Sequence, residues 1–189
     1  KIMNKNVTFV FGASFIIGNY ILPRFLNNLK ENIHNDVSIN VSVSHEAIDD
    51  LLDKKIDIAL VENYVANDDI VYREWMEDEI VIFSNQRLPQ KAKAEDLLSY
   101  KWVCRNPESN TRLIFKENLE KANFPDCDTF NVTSEVTSAT TIVQTVLHSD
   151  KNATPTVSIV SRNAIESLLK SEALFESRIG NQKMLRKLY

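Results

Sequence analysis

The sequence predicts an α/β protein built from two similar lobes, and three observations carry that prediction. Short apolar runs alternate with helix-like runs from Val7 to Val61. The same alternation restarts at Lys101 after a middle stretch of different character. Five times an apolar run ends in small polar residues and passes directly into a helical pattern: at Gly12-Ala13-Ser14, at Ser44-His45-Glu46, between Arg105 and Thr111, at Thr137-Ser138, and at Ser161-Arg162-Asn163. Strand-helix-strand units of this kind wind right-handed and lay their strands parallel.

Val7 to Phe11 reads as a strand interrupted by Thr8, followed by a helix with Ile17, Ile21, Phe25 and Leu29 on one face. Pro23 falls early in that helix, where its missing N–H costs least. Val37 to Val43 alternates as a strand does, and Glu46 to Lys54 is a short helix turning Ile48, Leu51 and Leu52 inward. Ile56 to Val61 is nearly continuously apolar, the pattern of a parallel strand covered on both faces. Ile70–Trp75 and Glu79–Phe83 read as two further strands, the second broken by Ser84-Asn85-Gln86 and Pro89. The second series predicts strands at Lys101–Cys104, Thr129–Thr133 and Thr156–Val160. It predicts helices over Thr111–Ala122, over Ser138–Leu147, and through Ile165, Leu168 and Leu169.

At 189 residues the chain is long enough for one ordinary domain or two small lobes with a real core. A hydrophobic fraction of 43% beside 25% charged residues is that of a globular protein in water, and no apolar run approaches a bilayer span of about 20 residues. Lys1 to Asn6 holds no signal-peptide core. The opening at Lys1 reads as that of a fragment, from a cytoplasmic protein or from one that has lost a leader or an upstream domain. The net charge of −4 comes with scattered basic residues, the nearest thing to a cluster being Lys183 to Lys187 with Arg186 inside it. A nucleic-acid face normally shows a basic stripe, so this part of the protein is not expected to grip DNA or RNA itself. Cys104 and Cys127 lack CxxC spacing; of the two readings, a disulfide or two buried or idle thiols in a reducing compartment, the spacing favours the thiols. The N-x-S/T triplets at Asn6, Asn40, Asn131 and Asn152 read as chance in an Asn- and Thr-rich chain.

The chemistry of an enzyme is not signalled. Gly12 and Gly18 are followed by no Lys-Ser/Thr, and three glycines in all cannot build a dinucleotide fingerprint. His34, His45 and His148 stand apart, without the spacing of a zinc site. His34 and His148 follow helices, where a cation complements the last carbonyls; His45 lies at a junction and either lines a pocket or is a solvated residue beside the cap. Asp49, Asp50 and Asp53 form the solvated face of a short helix. No Ser carries a nucleophile elbow. No catalytic residue, metal site or cofactor is assigned.

At the junctions the sequence resembles the effector-binding domain of LysR-type transcriptional regulators. Val10-Phe11-Gly12-Ala13-Ser14 through Leu22-Pro23 is similar to the family's opening strand, small-residue turn and helix. Asp57-Ile58-Ala59-Leu60-Val61-Glu62 resembles its third strand, and Arg105 to Arg112 its Arg-Glu-x-Gly-Ser-Gly-Thr-Arg loop, here without either glycine. The resemblance covers nearly the whole chain in order. It implies two Rossmann-like lobes joined by a two-strand hinge, a type 2 periplasmic-binding-protein-like fold. Lobe one would be residues 1–83 plus 162–189 and lobe two residues 84–161. It further implies an N-terminal winged helix-turn-helix DNA-binding domain absent from this chain, a homodimer or homotetramer, and a small effector, of anionic class by the helix-terminus argument, held between the lobes to control transcription in the cytoplasm.

Carried over by position, the effector-binding residues would be Ser14, Phe15 and Ile16, Ser44 and His45, Thr137 and Ser138, and Val160 and Ser161. Phe15 and Ile16 stand where the family often has hydroxyls, and His148 to Thr156 forms a longer polar loop than the family's turn. Each Ser or Thr here has two readings. A helix start presents free N–H groups and a positive dipole end to an anion, yet the same hydroxyl can simply cap the helix. Two other functions fit the same scaffold: a solute-binding protein of a transporter, and a lyase-type enzyme with Glu62 or His45 as base.

Overall fold

Strand β1, Phe9–Ser14, turns progressively inward along its length, half-buried at Phe9 and Val10 and buried from Phe11 to Ser14. It is flanked by β2 (Val37–Ser42) and β3 (Ile58–Leu60) in a parallel sheet of order β2-β1-β3, with Phe9 opposite Val37 and Phe11 opposite Ile58. The computed structural model describes residues 7–189, and these fall into two units. Unit 1 holds the chain up to Glu77 together with Lys187–Tyr189, and unit 2 holds Asp78–Arg186. Asn6 and the residues before it lie outside the described residues.

In unit 1 the connection from β1 to β2 changes pitch twice. A π turn over Ile17–Ile21 runs into a 3₁₀ turn over Leu22–Arg24, and only then into helix α1, Leu26–Ile33. Pro23 sits inside the 3₁₀ turn, where no α-helical bond is lost. Gly18 is required by space, since a Cβ there would lie 2.6 Å from Val41 Cγ2. The single apolar face predicted for this stretch therefore divides. Ile17 and Ile21 are buried, whereas Phe25 stays 45% exposed and α1 buries none of its residues fully. α1 ends at His34, which takes φ 55° and donates its N–H to the Lys30 carbonyl. Helix α2, Ser44–Leu52, buries Ala47 and Ile48 with Val61, and Ala59, Ile70, Tyr72 and Tyr189 pack around them. The stretch Ile70–Trp75, expected as a strand, joins no sheet; the Trp75 N–H donates to the Leu188 carbonyl.

Unit 2 is built on a seven-stranded mixed sheet. Its elements are β4 (Met76–Ser84), β5 (Lys91–Ala92), α3 (Ala94–Ser99), β6 (Lys101–Arg105), α4 (Asn110–Lys121), β7 (Asn131–Val136), α5 (Ala139–Leu147), β8 (Thr156–Ser161), α6 (Arg162–Lys170), β9 (Phe175–Ile179) and β10 (Met184–Leu188). The strand order is β5-β9-β4-β8-β6-β7, with β10 also pairing β4. β6, β7 and β8 are parallel neighbours, as the alternating pattern requires, while β4 runs antiparallel to β8 and β9. The core centres on Trp102, fully buried and stacked 4.9 Å from Phe130, with its indole N–H donating to the Leu97 carbonyl at 2.8 Å.

The units divide elsewhere than at 83/84 and 161/162. After Ser161 the chain stays in unit 2, because β9 hydrogen-bonds to β4 and β5, and it returns to unit 1 only past Arg186. Elements β5, α3, β9 and β10 had no counterpart in the sequence reading. Among the described residues no helix is long and apolar enough to cross a membrane.

Candidate ligand-binding site

The carboxyl ends of β1 and β2 open side by side, because the parallel register sets Ser14 opposite Ser42. Ser14 closes β1 with 1% of its surface exposed, and its Oγ has no hydrogen-bond partner. A buried hydroxyl left in this state costs about 1–3 kcal/mol. Beside it the Phe15 ring is 51% exposed, whereas Ile16 is buried with 6% exposed and gives the turn no side-chain cap. At the neighbouring junction Val43 occupies the N-cap of α2 and offers no acceptor. Ser44 is half-buried and His45 exposed in that helix's first turn. Both helical starts in unit 1 thus leave backbone N–H groups without a side-chain cap.

The junctions of unit 2 are arranged differently. Thr137 and Ser138 are exposed just past β7, and Ser138 Oγ accepts from the Thr141 N–H at 3.4 Å, capping α5. Val160 is buried in β8 with 2% exposed. Ser161 Oγ accepts from the Asn163 N–H and donates to Asp78 Oδ1 at 2.6 Å. Asp78, with none of its surface exposed, also accepts from Asn163 Nδ2 and Arg186 Nε, both at 2.8 Å. Arg186 in turn donates to Thr111 Oγ1 at 3.4 Å. The Ser161 hydroxyl is therefore committed to the protein. At the remaining junction the Arg112 guanidinium donates to the Arg105 carbonyl at 2.7 Å and reaches Glu135 and Asp128.

Two readings of each junction residue were open from the sequence, and geometry separates them: Ser138 and Ser161 cap, Ser14 and the α2 start do not. Asp78, Asn163, Arg186 and Thr111 carried no local signal as a group, being scattered over 108 residues. The basic run at Lys183–Lys187 disperses, with Arg186 buried against Asp78 and Lys187 paired with Glu74.

Elsewhere several charged groups pair with one another. Asp50 and Asp53 both lie 3.0 Å from Lys55 Nζ. Asp126, Cys127 and Asp128 come close enough together to suggest a metal, but Lys116 engages both carboxylates at 3.1 and 2.9 Å and Arg112 reaches Asp128 at 3.3 Å. Cys104 and Cys127 are free and buried; burial pushes both thiols up, Cys104 to about 11. His34 and His148 form the C-caps of α1 and α5. Apart from the strand ends, unit 1 has an apolar groove of about 960 Å³ between α1 and β3.

The model of the LysR substrate binding domain matches residues 6–179. An HTH-type transcriptional regulator, YeiE of Escherichia coli (strain K12), is 27% identical over 181 residues, which are 94% of this chain and 59% of the relative. The chain thus spans about three-fifths of the length of that curated relative. Among solved structures, the regulatory domain of CcmR from Synechocystis PCC6803, in complex with 2-PG, superposes with a TM-score of 0.73 at 16% identity, covering 96% of this chain and 85% of that one. The effector-binding domain of QuiR in complex with shikimate gives 0.67 at 19% identity, covering 97% and 86%. The shared architecture is the type 2 periplasmic-binding-protein-like fold. The chain belongs to the LysR substrate-binding domain family, the effector-binding part of LysR-type regulators.

Proposed function

We propose that this effector-binding domain takes a small anionic metabolite with some apolar surface, and that Ser14 is one of its contacts. The buried, unpartnered Ser14 hydroxyl carries the proposal. It sits at the carboxyl end of a parallel strand, where ligands of open α/β sheets bind, beside two helical starts whose N–H groups no side chain caps. The exposed Phe15 ring supplies an apolar wall, and the α2 start adds Ser44 and His45. Relatives solved with shikimate and 2-PG fit the same ligand chemistry of a small, oxygen-rich acid.

In the full-length protein such binding would alter transcription through a helix-turn-helix domain, in a homodimer or homotetramer in the cytoplasm and without catalysis. The ligand acts by favouring one conformation over another, since only differential affinity shifts a population. Thermal-shift measurements with sulfate, phosphate, shikimate and a set of short carboxylic and phosphorylated acids test the reading. At least one is expected to raise the melting temperature of this chain, and Ser14→Val is expected to abolish the rise while the variant still unfolds cooperatively. A full rise in Ser14→Val overturns the assignment of Ser14.

A further inference from the structure

Glu62 follows the third strand of unit 1 at the same end of the sheet as Ser14, and the effector reading gives it no role. β1 and β3 run parallel with Ala13 opposite Leu60. The same count carries Ser14 to Val61 and Phe15 to Glu62, on backbones about 4.8 Å apart. Glu62 is half-buried there, two residues past the end of β3. Val61 before it packs with Ala47 and Ile48, which ties this stretch to the first turns of α2, the helix whose start has no side-chain cap.

Two opposite kinds of charge recognition meet at this end of the sheet. The start of α2 and the buried, unpartnered Ser14 hydroxyl offer donors to an anion. Glu62 does the reverse: a carboxylate accepts from several donors at once and disfavours a second negative charge placed beside it. Residues 7–22 and 37–44 hold no charged side chain, so no Lys or Arg of those stretches offsets it. A dianion would meet Glu62 as a like charge. A carboxylate that carries an ammonium group on the neighbouring carbon would satisfy both halves.

We infer that the effector is an α-amino acid. Its carboxylate takes the α2 start and Ser14, its ammonium group binds Glu62, and its side chain lies against the Phe15 ring, which is 51% exposed. The inference rests on the effector reading for the carboxylate half, and it adds Glu62 as the residue that selects amino acids over plain acids.

The test pairs each common L-amino acid with the acid that lacks its amino group, and takes affinities from the concentration dependence of the melting temperature of this chain. At least one amino acid is expected to bind, with its des-amino acid at least about 10-fold weaker. Glu62→Gln is expected to weaken that amino acid at least about 10-fold and to leave the des-amino acid as tight or tighter, because the like charge is gone. Glu46→Gln removes a charge from the exposed first turn of α2 and is expected to leave the preference between the two ligands unchanged. Four results overturn the inference: no amino acid binds, the parent holds both members of a pair equally, Glu62→Gln weakens both alike, or Glu46→Gln shifts the preference as far as Glu62→Gln does. The first two need no variant to fold. The effector reading survives each of them if a plain acid still binds and Ser14→Val still abolishes that binding.

Discussion

Asp78 and Arg186, 108 residues apart, form a buried ion pair at the two ends of unit 2, with Arg186 Nε and a terminal guanidinium nitrogen each 2.8 Å from Asp78 Oδ2. Neither side chain is more than 5% exposed. Removing one member leaves the other charged and buried, which costs about 3–5 kcal/mol. Arg186→Met and Asp78→Asn are each expected to lose stability in this range in urea unfolding. The double variant is expected to lose less than the sum of the two, because no lone charge then remains. Strict additivity would mean that the two residues act separately.

Ser14 and Ser161 offer opposite outcomes from the same substitution. Ser161→Ala removes a donor to buried Asp78 and the cap of α6, and is expected to cost about 1–3 kcal/mol. Ser14→Ala removes a hydroxyl that bonds to nothing in the protein, and is expected to be neutral or stabilising by up to about 1 kcal/mol. Chemical denaturation of both variants without ligand decides the matter; a costly Ser14→Ala would mark that hydroxyl as structural.

The acid side of the stability curve depends partly on Glu79. Arg178 hydrogen-bonds both of its carboxylate oxygens, and these bonds hold the Glu79 carboxyl below the usual range. A carboxyl depressed in the folded state stabilises it above the unfolded pKa, about 4.3 for Glu, and that stability is lost as pH falls through the lower folded value. Glu79→Gln is expected to be less stable than the parent at neutral pH and to lose less on acidification below about pH 4. Parallel pH curves for the two proteins would exclude the pair as a source of acid sensitivity.

Cys104 is expected to resist thiol reagents while the chain is folded. At about 11, its pKa leaves roughly a hundredfold less thiolate at pH 8 than an ordinary cysteine has. Reaction of Cys104 with an aromatic disulfide reagent is expected to be at least that much slower than in urea, and Cys127, also raised by burial, is expected to react more slowly than in urea too. Prompt labelling of either thiol in the native protein would show that unit 2 opens locally around them.

Lys54 and Gly180 form a matched pair for backbone strain. Lys54 ends α2 at φ 58°, a left-handed conformation in which its Cβ is unfavourable. Lys54→Gly is expected to stabilise by about 1 kcal/mol, and Gly180→Ala, at φ 52°, to destabilise by a similar amount despite open space around it. Urea midpoints of the two variants check both signs.

The parallel strands and their helices were legible because each is a local apolar pattern: Ile56–Val61, Lys101–Cys104 and Thr156–Val160 announce themselves. β9 and β10 were not, because Glu176, Arg178 and Arg186 interrupt them, and those charges are accommodated only by partners distant in sequence. The stretch Ile70–Trp75 has strand composition, yet only tertiary pairing makes a strand, and it has little. At the site, the junction positions were readable and their roles were not. Whether a serine caps, pairs or stands free depends for Ser161 on Asp78, 83 residues away, and no local spacing encodes that.

Each unit holds an aromatic cluster of its own. Tyr64, Tyr72 and Tyr189 meet within unit 1, with ring centroids 4.6 to 6.2 Å apart, while unit 2 has Trp102 wedged between Phe115 and Phe130. Rings held rigidly at such angles give near-ultraviolet circular dichroism that vanishes when their packing loosens, and tyrosine and tryptophan bands fall at separate wavelengths. Trp75 in unit 1 and Tyr100 in unit 2 mix the two signals, so a Trp75→Phe, Tyr100→Phe variant, heated once, is what reports whether the two halves melt together or in sequence.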